Sequence, residues 1–125
     1  MAEQRLDEHL TTLVGGWLSL PDVAERLGVR LSEARRMVED RELLGARVGE
    51  RAVLAVPEAF LGPDGVLPAL KGTFTVLADA GLDDAEALRW LFTADPTLPV
   101  PGCPVDAIRA GHKTEVRRRA MELAL

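Results

Sequence analysis

Arg35 and Arg36 stand side by side, with Ser32 close before them and Glu39 three residues after. A guanidinium is a planar fork of donors that meets a phosphate, or the O6/N7 edge of guanine, through two hydrogen bonds at once. A serine at a helix start holds a phosphate or caps the helix. Two more arginines, Arg47 and Arg51, lie on either side of Gly49-Glu50. Ser32, Arg35, Arg36, Glu39, Arg47 and Arg51 therefore form a candidate set for recognising double-stranded DNA. The competing expectation for such charged positions is a solvated surface.

These side chains need elements to aim them. At about 100° per residue, Ala34, Met37 and Val38 point one way, and Ser32, Arg35, Arg36 and Glu39 the other. That predicts a helix over about 32–40 with one packed and one outward face, Ser32 at its cap. A preceding helix opens at Ser19-Leu20-Pro21-Asp22, because proline near the first position and an early acid are start signals. Val23, Ala24 and Leu27 form its inner face. Gly28 stops it, since glycine accepts the left-handed conformation, and Val29 is expected as a short apolar plug. After the second helix, two β-prone runs over 45–56 flank Gly49-Glu50, a hairpin signal.

Leu6, Leu10, Leu13, Val14 and Trp17 recur at helical spacing. They predict a docking helix from about Arg5 to Val14, ended by Gly15-Gly16. Beyond the hairpin, Pro57 starts a short turn through Leu61, and Gly62-Pro63-Asp64-Gly65 reads as a loop. Helices follow over Pro68–Ala80 (Leu70, Phe74, Leu77 and Ala78 inward) and Asp83–Phe92 (Ala87, Leu88, Leu91 inward). Pro96, Pro99, Pro101, Gly102 and Pro104 impose an irregular stretch. One turn over Asp106–Ala110 and a last helix over Glu115–Leu123, capped by Thr114, complete the chain. The expected division is 1–61 and 66–125.

Composition narrows the function classes. The 125 residues carry 15 Lys+Arg against 20 Asp+Glu, a net charge of −5. Strong nucleic-acid binders usually carry a basic excess, so an anionic partner must meet a local arrangement. Residues 19–56 hold seven arginines and seven acids, residues 57–104 are net −5, and residues 105–125 are net +2. Arg117-Arg118-Arg119 cannot share one helix face, because three consecutive residues spread over about 200°.

One cysteine, Cys103, excludes an internal disulfide, and with His9 and His112 far apart no closed zinc site is expected. No nucleophile–base pair, phosphate loop or metal set points to an enzyme, and no cofactor is expected. With three Phe, two Trp and no Tyr, recognition of RNA by base stacking is disfavoured. No apolar run approaches a membrane span of ~18 residues, and the first ten residues lack a signal-peptide pattern. A cytoplasmic protein is expected. Thr11 and Thr12 precede the arginine-bearing elements. A phosphate from a Ser/Thr kinase there would add roughly two negative charges and oppose an anionic ligand.

Leu20 to Val29, followed by Ser32-Glu33-Ala34-Arg35-Arg36 and the Gly45–Val56 hairpin, resembles the winged helix-turn-helix of MerR- and excisionase-type proteins. The chain as a whole is similar to a small actinobacterial family of winged-helix DNA-binding proteins with a C-terminal extension. The resemblance implies that Ser32, Arg35, Arg36 and Glu39 are recognition-helix positions, and Arg47 and Arg51 wing positions. It implies DNA binding in transcriptional regulation. This module departs from the pattern in being net neutral. A further likeness covers Trp90-Leu91, the 96–101 proline stretch, Gly102-Cys103-Pro104-Val105-Asp106, Gly111 and Val116. It is to the C-terminal domain of antitoxins, and it implies a surface for a protein partner or for self-association. No long heptad helix follows the wing, so a MerR-like coiled-coil dimer is not expected.

The expected fold is mainly α: a winged helix-turn-helix with a small β-hairpin, plus a helical C-terminal region. The alternative function is a protein-interaction module that keeps this scaffold without binding DNA.

Overall fold

The computed structural model describes residues 7–125. Asp7 caps α1 (Glu8–Val14), its Oδ1 accepting from the Leu10 N–H at 2.8 Å. The expected helix start at Arg5 and the Leu6 position lie outside the described residues. Gly15, at φ 85°, ends α1. Trp17 does not extend the helical stripe. It opens β1 (Trp17–Ser19), and its indole N–H turns back to donate to the Thr11 carbonyl at 3.1 Å. The Gly15-Gly16 break frees the chain to become extended, which helical spacing alone does not register.

Ser19 Oγ accepts from the Asp22 N–H and caps α2 (Leu20–Leu27), which buries Leu20, Val23 and Ala24. Gly28 takes φ 68°. The N–H groups of Gly28 and Val29 fold back onto the carbonyls of Glu25 and Ala24, satisfying the last turn. Val29 is not a plug: its backbone closes the turn, and its side chain is 36% exposed. Next comes α3 (Leu31–Glu39), with Ala34 buried and Met37 and Val38 packed against the core. Arg30, not Ser32, occupies the cap position, and no side chain caps the helix. The cap lies two residues earlier than expected, which places Ser32 inside the first turn.

The hairpin is β2 (Ala46–Val48) and β3 (Val53–Pro57). Its loop is the four residues 49–52 rather than a two-residue tip. Gly49 and Ala52 both take positive φ, and the Ala52 N–H donates to the Gly49 carbonyl at 3.1 Å. β1 pairs with the other side of β3, giving an antiparallel sheet of order β1-β3-β2, with Leu18 opposite Val56 and Arg47 opposite Leu54. The order α1-β1-α2-α3-β2-β3 is that of a winged helix-turn-helix.

A 3-10 turn (Glu58–Phe60) leads into β4 (Leu61–Gly62) and β5 (Gly65–Val66), a second hairpin around the expected loop. Four helices follow: α4 (Leu70–Asp79), α5 (Asp84–Phe92), α6 (Pro104–Arg109) and α7 (Lys113–Glu122). Ala78 is exposed, and the buried position on α4 is Thr73, whose hydroxyl donates to the Ala69 carbonyl at 2.9 Å. α6 starts at Pro104, where a missing N–H costs nothing. His112, not Thr114, precedes α7.

The two parts share one core. Phe60, ahead of the second hairpin, packs on Phe74 of α4 and Phe92 of α5 at ring separations of 5.4 and 5.7 Å. Leu18, Leu20, Leu54 and Leu88 belong to the same buried cluster. Polar ties cross the same boundary. Arg41 Nη1 meets Asp84 Oδ1 at 3.0 Å, and Arg109 Nη2 donates to the Ala59 carbonyl at 2.5 Å. Among the described residues no helix is long and apolar enough to cross a membrane.

Candidate nucleic-acid interface

α2 and the Gly28 turn hold α3 by one side, so its other side is free to meet a ligand. Ser32, Arg35, Arg36 and Glu39 are all exposed there. The outward face is as the spacing required, but its two arginines differ.

Arg35 forms no hydrogen bond or ion pair with a described residue. Arg36 is surrounded. Its guanidinium pairs with Glu33 one turn back, with Asp40 Oδ2 at 2.6 Å and with Glu42 Oε2 at 2.7 Å. Both arginines face outward as expected, but the Arg36 guanidinium is held by the chain's own carboxylates. The physical reason lies in the sequence: Glu33 and Asp40 flank Arg36 at i−3 and i+4, the spacings at which helix side chains meet. These bonds to Glu33, Glu42 and Asp40 raise the Arg36 pKa further, and the bond from Arg36 holds the Glu33 carboxyl below its usual range. One guanidinium among three carboxylates leaves this cluster net −2, with Glu33 drawn from the first turn of α3 and Asp40 and Glu42 from beyond its end.

A further unpaired cation stands at the start of α3. Arg30, at the cap position, is exposed and its side chain has no partner among the described residues. The first N–H groups of α3 have no side-chain cap, which leaves the positive end of the helix dipole open. Arg30 was not singled out from sequence. Its signal is its place immediately before the helix start, hidden when the cap is placed two residues later, at Ser32.

On the hairpin, Arg51 is exposed in the 49–52 loop, and no described residue pairs with it. Arg47 lies in β2, half-buried, with its Nη1 reaching the Ala52 carbonyl at 3.5 Å. Arg51 is thus the outer wing cation, and Arg47 buttresses the loop that carries it.

The three consecutive arginines of α7 separate. Arg118 pairs with Glu115 at 3.0 Å. Arg119 pairs with Glu115 at 2.7 Å and donates to the Thr97 carbonyl. Arg117 lies over Gly72 and reaches the Ala69 carbonyl at 3.4 Å. Arg117 and Arg119 tie α7 to its neighbours, Arg118 pairs within α7, and the three build no shared basic surface. Cys103 is half-buried, and burial pushes its thiol above the usual range, while its Sγ donates to Asp106 Oδ2 at 3.3 Å. Among the described residues no group of three His, Cys, Asp or Glu side chains could hold a metal.

Residues 6–61 match the family described as "DNA-binding protein Rv2175c, wHTH domain", and residues 67–124 match "Rv2175c C-terminal domain of unknown function". DNA-binding protein Rv2175c of Mycobacterium tuberculosis (strain ATCC 25618 / H37Rv) is 37% identical over 116 residues, covering 84% of this chain and 78% of that protein. The chain belongs to the Rv2175c family. A solved structure titled "NMR structure of Rv2175c" superposes with a TM-score of 0.78 at 33% identity, covering 96% of this chain and 85% of the other. The two matched segments of the Rv2175c family meet between residues 61 and 67, at the β4–β5 hairpin, where Phe60 joins the cores of both parts.

Proposed function

We propose that this chain binds double-stranded DNA and acts in transcriptional regulation, with the N-terminal half of α3 in the major groove and the 49–52 loop on the adjacent backbone. The observation that carries this reading is the contrast among the outward-facing arginines: Arg30, just before α3, and Arg35, in its middle, have no partner among the described residues, whereas Arg36 is engaged by three carboxylates. A groove-reading helix meets base edges with its N-terminal residues. In this arrangement Arg35 meets a base edge or phosphate, Ser32 a phosphate beside the open helix start, and Arg51 the sugar-phosphate backbone. Glu39 borders the contact, Arg47 steadies the wing, and Arg36 screens its own carboxylates from the duplex. The relative named DNA-binding protein Rv2175c and the MerR-like layout of helix, turn, helix and wing support the same reading.

The test is selection of bound duplexes from a random pool at two ionic strengths. Recovery of related sequences, with affinity falling steeply as salt rises, supports it. Failure to retain any duplex at low salt overturns it.

Regulation by a Ser/Thr kinase fits Thr12 better than Thr11. Thr12 is exposed on α1, whereas the Thr11 hydroxyl donates to the Asp7 carbonyl at 2.8 Å and is half-buried. Equal duplex affinity in Thr12→Glu and the parent would remove this role. The C-terminal region is assigned a protein contact, as its antitoxin-like layout implies. An open apolar cleft bordered by Pro96, Leu98, Pro99 and Val100 is the surface available for it.

A further inference from the structure

We propose that Leu31 reads the 5-methyl group of thymine, one or two base pairs from the base edge met by Arg35. This rests on the reading of α3 as the groove-facing helix and adds to it a base that the helix selects.

Leu31 is the first residue of α3 and is 45% exposed. It lies outside both the buried core and the side chains packed against that core. A single exposed leucine is ordinary on a protein surface. This one is distinguished by position, since the first turn of such a helix is the part that reaches base edges. Val29, also exposed, widens the apolar surface just ahead of it.

The neighbours define what an apolar side chain would meet there. Residues i and i+4 share a helix face and lie about 6 Å apart along the axis. Successive base pairs rise about 3.4 Å. Leu31 and Arg35 therefore reach bases one or two steps apart. The thymine methyl is the one apolar group that unmodified base pairs present in the major groove, and guanine O6/N7 is the edge that suits a guanidinium. Arg30, between Val29 and Leu31, supplies the charge that seats this turn against a phosphate. Asp40 and Glu42 disfavour seating by the far end, and Arg36 holds the Glu33 carboxylate of the first turn. The apolar patch is thus bordered by cations on the side where the duplex approaches.

Replacing thymine by uracil deletes only the methyl group. A duplex recovered by selection is prepared with each thymine replaced in turn, and affinity is read by fluorescence anisotropy. The parent is expected to lose about threefold to fivefold at one position. Leu31→Ala, its fold checked by circular dichroism, is expected to bind thymine and uracil alike there, and Leu31→Met to keep the preference. Parent binding that is indifferent to uracil at every position overturns the inference while leaving DNA binding intact. So does full discrimination retained by Leu31→Ala, or a selected site that lacks thymine. Absence of any duplex binding by the parent overturns the underlying reading, and this inference with it.

Discussion

Glu42, beyond the end of α3, reaches back to Arg36, its Oε2 accepting from Nη1 at 2.7 Å. Together with Asp40 and Glu33 it turns what the sequence offers as a cation into a local anionic patch. Glu42→Gln removes one charge from the patch without disturbing α3. Duplex affinity is expected to rise about twofold to fivefold at low salt, and the salt dependence to steepen, as for other rim charges. Anisotropy titrations at two salt concentrations check this. Unchanged affinity would place the end of α3 away from DNA.

The pH response of the patch follows from the same bonds. Glu33 is held below its usual range, so its ionised form is favoured in the folded chain. Its contribution is complete above the ordinary carboxylate pKa of about 4.3 and is lost as pH falls through the lowered folded value. The patch is therefore intact near neutrality. Titration of Glu33 is expected to contribute no pH dependence to duplex binding between about pH 6 and 8. A Glu33→Gln variant whose pH profile differs from the parent in that window would contradict this.

Arg35 and Arg51 should separate base reading from backbone anchoring. Arg35→Ala is expected to lower affinity for the selected site by about 5- to 150-fold and to relax one position of that site. Arg51→Ala should weaken all sequences alike and reduce the salt slope by about 1. Parallel binding curves on selected and unrelated duplexes distinguish the two. Identical behaviour of the variants would remove Arg35 from base reading.

Much of this arrangement was legible in the sequence, and the gaps have physical causes. The α2–turn–α3 unit was readable because Pro21, Gly28 and the Ala34-Met37-Val38 stripe act locally. The hairpin was readable from its β-prone runs. β1 was not, because three residues carry too short a pattern and their pairing partner, β3, is nearly forty residues away. Arg36 stood out by type, but its neutralisation depends in part on Glu42, which lies past the helix end, where periodicity gives no contact. Arg30 and Leu31 do not stand out when the helix cap is placed two residues late, at Ser32. The arginines of α7 are kept from one face by geometry, and Glu115 stands at helical spacing from Arg118 and Arg119, while the partners Thr97 and Ala69 needed the tertiary structure.

The shared core has a consequence for stability. Phe74 is 1% exposed and touches Phe60 across the boundary between the two family-matched segments. Phe74→Ala is expected to cost about 3–5 kcal/mol. Because the cavity opens on both parts, tryptophan fluorescence and far-ultraviolet circular dichroism should show coincident unfolding in urea. Two separated transitions would show that the parts fold independently.

Arg41 follows α3 in a left-handed conformation, φ 60°, and pairs with Asp84 at the start of α5. Asp84→Arg and Arg41→Asp should each destabilise the fold by less than about 1 kcal/mol, as partly exposed pairs do. The double reversal should recover most of that loss. A double-mutant cycle measured by urea unfolding checks this, and strict additivity would remove the coupling.

The account depends on a few unpartnered guanidiniums meeting phosphate or base on a molecule of net charge −5. Its most direct test is the dependence of duplex affinity on salt concentration for the parent chain. If Arg30 and Arg51 each neutralise one phosphate while Arg35 reads a base, log K against log salt should fall with a slope of about −2. Binding that is flat in salt, or no binding at low salt, would contradict the account.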